Sequence, residues 1–301
     1  MEQNKLITII GPTAIGKTSL SIDLATHYKT EVLSCDSRQF YKEMQIGTAV
    51  PSNEELSAVK HHFIQNRSIF EEYSVGAFER DAVELLNRLF KERSIMMMTG
   101  GSGLYVDAVI KGLDDFPEVN PEIRKDLKVI LHNEGITRLQ MKLKEIDPVS
   151  FGKIDIHNKQ RLIRALEISI GTDKPYSHYL GLQTKKRSFD AVKIGLQADR
   201  EVIYDRINRR VDLMMQQGLL EESRSLYEHR DLNALQTVGY KELFAYFDNL
   251  YSLEEAVNEI KKNTRRFAKR QGTWFRRDPE ITWFDYKTDL DEILSFIDSQ
   301  R

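Results

Sequence analysis

Among 301 residues there is a single cysteine, Cys35, so no internal disulfide and no multi-cysteine zinc or iron–sulfur site can form. Such usage fits a reducing compartment. Glycine and proline are scarce, at 16 and 7, beside 41% hydrophobic and 30% charged residues. That excludes collagen-like, low-complexity and disordered chains. Long apolar runs are missing: residues 6–10, the run nearest the start, are too few for a signal-peptide core. They also fall far short of the roughly 20 residues that cross a bilayer. The expectation is a cytoplasmic protein with no membrane partner. No charge sign dominates either, with Lys and Arg at 44 against Asp and Glu at 46 and a net charge of -2. Any surface for a polyanion must therefore arise by local segregation of charge. The length accommodates two average domains, or one large domain with an insertion.

What is present begins with alternating strand and helix signals. Residues 6–10, 31–35 and 94–99 read as short buried strands, and residues 192–196 and 281–284 resume the pattern near the other end. Helical spacing of apolar residues runs over 18–28, 75–92, 201–217, 219–228, 239–247, 253–275 and 291–297. Strands separated by helices predict βαβ units and a parallel sheet. Between 115 and 190 the pattern becomes mostly helical, with Pro117, Pro121, Pro148 and Pro175 at helix starts or turns. The predicted organisation is an α/β core over 1–114 and 191–301, interrupted by a helical insertion over 115–190. No repeat of 20–50 residues is visible.

Gly11-Pro12-Thr13-Ala14-Ile15-Gly16-Lys17-Thr18 matches the phosphate-binding pattern G-x-x-x-x-G-K-[ST], entered by a strand and left by a helix. In that context the backbone N–H groups around 14–18 and the helix N-terminus face a phosphate. Lys17 bridges the terminal phosphates, and the Thr18 hydroxyl is placed to ligate Mg²⁺. P-loop NTPases usually also carry an apolar strand ending in an acidic residue, but residues 95–99 end in Gly100-Gly101-Ser102-Gly103. The acid, Asp36, stands at the end of the other strand. All strand C-termini of a parallel sheet open on one edge, so Asp36, Ser102 and the phosphate loop should share a crevice. There Asp36 can act as a general base or hold metal, or it can merely cap the following segment. Ser102 can equally be a turn residue.

Residues 261–277 hold eight basic residues and no acidic one, interleaved with Phe267, Trp274 and Phe275. Such a run suits stacking on bases and pairing with phosphates, although the aromatics also fit the core face of an amphipathic helix. Residues 159–164 and 185–187 are smaller basic clusters, and Arg206, Arg209 and Arg210 could turn toward the phosphates as a clamp. His61 and His62 have no partners at metal-ligand spacing and read as structural. Met96, Met97, Met98, Met214 and Met215 read as core filler or as the lining of an apolar tunnel.

The ordered segments GPTAIGKT (11–18), CDSRQFYKEMQIGTA (35–49), GGSGLY (100–105), QRLIRALE (160–167), TVGYKE (237–242) and RRFAKRQGTWFR (265–276) resemble those of tRNA dimethylallyltransferases, also called tRNA isopentenyltransferases. The resemblance runs from Leu6 to about Arg277. It implies a P-loop kinase-like parallel sheet flanked by helices, with a helical insertion domain. It also implies transfer of a dimethylallyl group from its diphosphate to N6 of adenine 37, beside the anticodon in the tRNA stem-loop. By the same resemblance Asp36 takes the proton from the amine, Ser102 positions it, and Arg210 holds the leaving group. Gly11, Pro12, Thr13, Ala14, Ile15, Gly16, Lys17 and Thr18 would bind the diphosphate with Mg²⁺. Asp36, Ser37, Arg38, Gln39, Ser102, Arg124, Gln160, Arg161, Leu162, Ile163 and Arg164 resemble positions that contact tRNA. Ser102 departs from the family's usual threonine, keeping the hydroxyl and losing the methyl, and HHFIQ (61–65) replaces the more frequent HHLID. The lack of further cysteines resembles the bacterial type, which has no C-terminal zinc finger. A monomer is the default expectation.

Chemistry supports the same picture. An allylic diphosphate ionises to a delocalised cation, so negative charge growing on the leaving group must be stabilised by the P-loop, Mg²⁺ and an arginine. Although the loop is of the ATP-binding kind, this argument places the allylic diphosphate there. The adenine must be swung out of its stack to meet Asp36. Two other classes compete: a kinase or prenyltransferase acting on small molecules, which leaves 261–277 unexplained, and a nucleotide-gated RNA-binding module without chemistry.

Overall fold

The computed structural model describes residues 3–181 and 185–300. The chain divides into two compact units, Met1–Lys111 with Arg187–Arg301, and Gly112–Lys186. The second junction precedes residue 190, because Asp190 already pairs with Lys5 in a strand of the first unit.

The first half of the sheet unit runs β1 (Lys5–Ile10), α1 (Lys17–His27), β2 (Val32–Ser34), α2 (Asn53–Ala58), β3 (His61–His62), α3 (Val75–Leu89), β4 (Ile95–Gly100) and α4 (Gly103–Lys111). The intervening unit holds α5 (Pro121–Glu134), α6 (Ile136–Ile146), α7 (Pro148–Lys153) and α8 (Lys159–Thr172). The chain then returns with β5 (Asp190–Gln197), α9 (Arg200–Gln216), α10 (Leu219–Ser225), α11 (Tyr240–Phe247), α12 (Leu253–Phe275), β6 (Thr282–Asp285) and α13 (Leu290–Ser299).

The six strands are all parallel, in the order β3-β2-β4-β1-β5-β6. Strand β1 lies between β4 and β5, in register from Lys5 opposite Ile95 to Ile10 opposite Gly100. Alternate residues of β1 and β4 point to opposite faces, and both faces are covered by helices, so apolar runs without polar alternation are stable here. Leu6, Ile10, Met96 and Met98 pack beneath Phe78, Leu86 and Val109 on one side. Ile7, Ile9 and Met97 pack beneath Leu24, Ala25 and Ile297 on the other. The three consecutive methionines are thus core, divided between the two faces. No helix among the described residues is long and apolar enough to cross a membrane.

The helical unit closes around Leu127, Leu139, Leu143, Leu162, Ile163 and Leu166. Pro121 and Pro148 open their helices, where a missing N–H costs nothing. The buried Asp147 caps α7 by accepting from the Ser150 N–H at 2.9 Å, and also accepts from the Ser177 N–H at 2.7 Å.

Three elements are absent from the sequence reading: α2, the two-residue β3, and α4. Helix α4 opens at Gly103, and a Cβ there would lie 2.3 Å from the Trp274 ring. The glycine that disguises the helix in the sequence is what lets it pack.

Candidate active site

Three turns leave the carboxyl edge of the sheet side by side. The glycine-rich loop follows β1, Cys35-Asp36 follows β2, and Gly101-Ser102 follows β4. Together with α9, α11 and α12 they bound a cavity of about 700 Å³. Thr13, Asp36, Ser102 and Arg210 all line it, so the crevice predicted from parallel topology is present. Its other walls are largely apolar, from Ile207, Val211, Met214, Leu219, Val238 and Ile260.

At the glycine-rich end, Gly16 precedes α1 with φ +112, a left-handed conformation costly for any residue with a Cβ. Helix α1 has no side-chain cap and no acid in its first turn, leaving its N–H groups open to an anion. The Lys17 ammonium donates to the Pro12 carbonyl at 2.8 Å. Burial draws its pKa down to about 8, with Asp36 pulling upward and Arg210 adding to the depression. Of Arg206, Arg209 and Arg210 on α9, Arg210 donates to the Thr13 hydroxyl at 3.3 Å and Arg206 to the Ala14 carbonyl at 2.6 Å. Arg209 stands in solvent paired with Asp205, which takes it out of the clamp. Burial also lowers the Arg210 pKa, opposed by the Asp36 carboxylate. Asp36 is therefore electrostatically coupled to both cations of the anion end.

After β2, Asp36 Oδ1 accepts from the Arg38 N–H at 3.1 Å in a local turn, and no helix follows it to be capped. Its second carboxylate oxygen accepts no hydrogen bond among the described residues. Ser102 Oγ accepts from the Ser37 N–H and meets the Ser37 hydroxyl, both at 3.2 Å, tying the turn after β4 to the one after β2. Arg38 donates inward to the Asn233 and Ala234 carbonyls. The Gln39 amide donates to the Ala49 carbonyl and accepts from Ser34, so both its ends serve the loop.

Arg124, Gln160, Arg161, Leu162, Ile163 and Arg164 lie in the helical unit. Leu162 and Ile163 are buried in its core, so their side chains fix α8 rather than face solvent. Gln160 and Arg161 are exposed. Arg124 and Arg164 each reach the buried Glu167 at 3.0 Å. The 185–187 cluster is divided: Lys185 pairs with Asp115, while Arg187 turns inward to Glu79 and the Ala108 carbonyl. It is thus not a basic surface patch. On α12, Lys261 and Arg265 engage Asp212 and Asn208, leaving Arg266, Lys269 and Arg270 exposed, with Arg276 and Arg277 exposed just beyond its end. Of the run's aromatics, Phe275 is buried, and Phe267 and Trp274 line the cavity. Met214 lines it too. His62 pairs with Glu31 and His61 contacts the Val59 carbonyl. No group of three His, Cys, Asp or Glu among the described residues could hold a metal ion alone.

Several site residues escape sequence reasoning. Gln271 on α12 accepts from the Thr13 N–H at 2.9 Å and donates to the Gly101 carbonyl at 3.0 Å. Its signal is faint: a lone polar residue on the buried face that also carries Ala268, Gly272 and Phe275. Glu222 accepts from the N–H groups of Gln45, Ile46 and Gly47 and from the Tyr240 hydroxyl, holding the segment after Gln39. Nothing in the spacing of Glu222 announces that.

A family model described as IPP transferase matches residues 39–278. The tRNA dimethylallyltransferase of Christiangramia forsetii is 58% identical over 297 residues, covering 99% of this chain and 98% of that relative. The solved full-length tRNA isopentenylpyrophosphate transferase of Bacillus halodurans is 40% identical, with a TM-score of 0.73 over 99% of this chain and 96% of that one. A eukaryotic dimethylallyltransferase solved acting on tRNA has a TM-score of 0.81 at 28% identity, covering 96% of this chain and 75% of that one.

Proposed function

Since this chain belongs to the IPP transferase family, we propose that it transfers the dimethylallyl group of dimethylallyl diphosphate to N6 of adenine 37, beside the anticodon of tRNA, and releases diphosphate. The observation that carries the reading is one cavity lined together by Asp36, Ser102, Thr13 and Arg210, with Arg210 bonded to the Thr13 hydroxyl. The anion end suits a diphosphate, through the open N-terminus of α1, Lys17 and Arg210. The apolar wall from Ile207 to Ile260 suits the five-carbon chain.

In the reaction the bond from the allylic carbon to the diphosphate oxygen breaks and a bond from that carbon to N6 forms. The proton leaving N6 passes to Asp36. Ser102 and Ser37 hold the turn that carries this carboxylate. Arg210 and Lys17 stabilise the charge that grows on the departing diphosphate, in a site partly closed to water.

Mg²⁺ fits the donor set. It keeps several waters and takes substrate phosphate oxygens, so it needs no all-protein cage. The Thr18 hydroxyl, in the first turn of α1, would hold it beside the diphosphate. Bound there, the ion neutralises leaving-group charge. The exposed basic residues of α12 suit the phosphates of an RNA stem-loop.

The test incubates the protein with unmodified tRNA and dimethylallyl diphosphate and identifies the nucleosides by mass spectrometry. An isopentenylated adenosine is expected, and its absence on every tRNA with adenine at that position overturns the reading. Asp36→Asn should lower kcat by about 10³-fold with little change in tRNA affinity. Full activity in that variant removes Asp36 as the base.

A further inference from the structure

We propose that Gln271 is a positioning residue that sets the distance between the anion end and the proton-accepting end of the cavity. The inference rests on the transferase reading above. Gln271 is 5% exposed and lies near the C-terminal end of α12, yet neither end of its carboxamide serves its own helix. One end holds Thr13 in the glycine-rich loop and the other holds Gly101 in the turn after β4. Those turns leave neighbouring strands, whose last paired residues are Ile10 and Gly100. The bridge is built into the backbone as well. A Cβ at Gly101 would lie 2.1 Å from the Gln271 amide nitrogen, so the absent side chain makes room for the carboxamide.

The contact continues in both directions. Thr13 is held at its N–H by Gln271 and at its hydroxyl by Arg210. Gly101 precedes Ser102, whose hydroxyl holds Ser37, next to Asp36. A polar chain thus joins Arg210, Thr13, Gln271, the Gly101-Ser102 turn and Ser37 to the base. The carboxamide is the link in it that ties the glycine-rich loop to the turn after β4, and a misplacement of about 1 Å at such a site can cost about 10²-fold in rate.

Two variants test this in steady-state assays with tRNA and dimethylallyl diphosphate, alongside wild type. Gln271→Met keeps the length and removes both hydrogen bonds. It should lower kcat about 30- to 100-fold while the KM for tRNA changes less than twofold. Gln271→Glu is sharper. Ionised, its carboxylate still accepts from Thr13 but faces the Gly101 carbonyl without a donor. Protonated, it donates there again. The kcat ratio of Gln271→Glu to wild type should therefore rise as pH falls, a dependence that loss of fold stability alone would not produce. A ratio independent of pH, or a folded Gln271→Met with kcat within twofold of wild type, overturns the proposal. Where Gln271→Met fails to fold, the pH dependence of Gln271→Glu decides. Wild-type protein that yields no isopentenylated adenosine would instead remove the underlying reading, so the two failures are distinguishable.

Discussion

Helices α9 and α12 both carry dense positive charge and both line the same cavity, yet they use that charge in opposite directions. On α9, Arg210 turns inward to Thr13, Arg206 reaches the Ala14 carbonyl from an exposed position, and Arg209 is left to solvent. On α12 the inward face is Ala268, Gln271, Gly272 and Phe275, while Arg266 and Lys269 face outward, Arg270 is exposed and also lines the cavity, and Arg276 and Arg277 follow, exposed, just beyond the helix. Arg266, Lys269, Arg270, Arg276 and Arg277 leave this end of the helix with exposed positive charge. The lesson is that a cluster of arginines in sequence indicates an anion nearby but not which one. A buried guanidinium beside backbone amides suits one compact anion, whereas an exposed set suits a long polyanion.

Substitutions on the two helices should separate the two substrates. Arg210→Ala is expected to lower kcat/KM for the allylic diphosphate by about 10²-fold or more, whereas Arg209→Ala, one residue away, should stay within about twofold. Equal losses in the two variants would break the contrast within α9. Next in size is the outer set. Changing Arg266, Lys269 and Arg277 to Gln should weaken tRNA binding. It should also reduce the slope of log K against log salt by about 1 for each phosphate that the protein no longer neutralises, with KM for the diphosphate unchanged. An unchanged salt slope would show that α12's charge serves something other than nucleic acid. The smallest effect is a pH dependence at the inner site. The Lys17 ammonium, with a pKa of about 8, is charged below that pH and loses its proton as pH rises through it. Binding of inorganic diphosphate, which restores the charge, should therefore weaken above pH 8 by at most about tenfold per unit. Affinity flat across that range would mean Lys17 is not the group the anion meets.

Much of this architecture is legible in the chain itself. The β1 run, the glycine-rich loop and α12 carry strong local patterns, and α12 spans Leu253–Phe275 as its apolar spacing predicts. The convergence of Asp36 and Ser102 follows from parallel topology alone. What stays hidden is set by long-range fit. Helix α4 is masked by Gly103, which is dictated by the Trp274 ring. Arg187 reads as part of a basic patch, but its partners Glu79 and Ala108 are remote in sequence. Choosing among Arg206, Arg209 and Arg210 requires the rotation of α9 about its axis, which one charged triplet does not define. Glu222 belongs to the same class. It collects three backbone donors and a tyrosine hydroxyl from segments more than a hundred residues away and from α11. No periodicity encodes such a convergence.

The hydrogen bond between Thr13 and Gln271 spans 258 positions of chain. On a ribosome the anion-gripping loop therefore emerges long before the helix that braces it. A polypeptide that stops short of α12 lacks the wall that carries Phe267, Arg270 and Trp274. The cavity is thus completed only with the closing stretch of translation, and an unfinished copy has no assembled chamber.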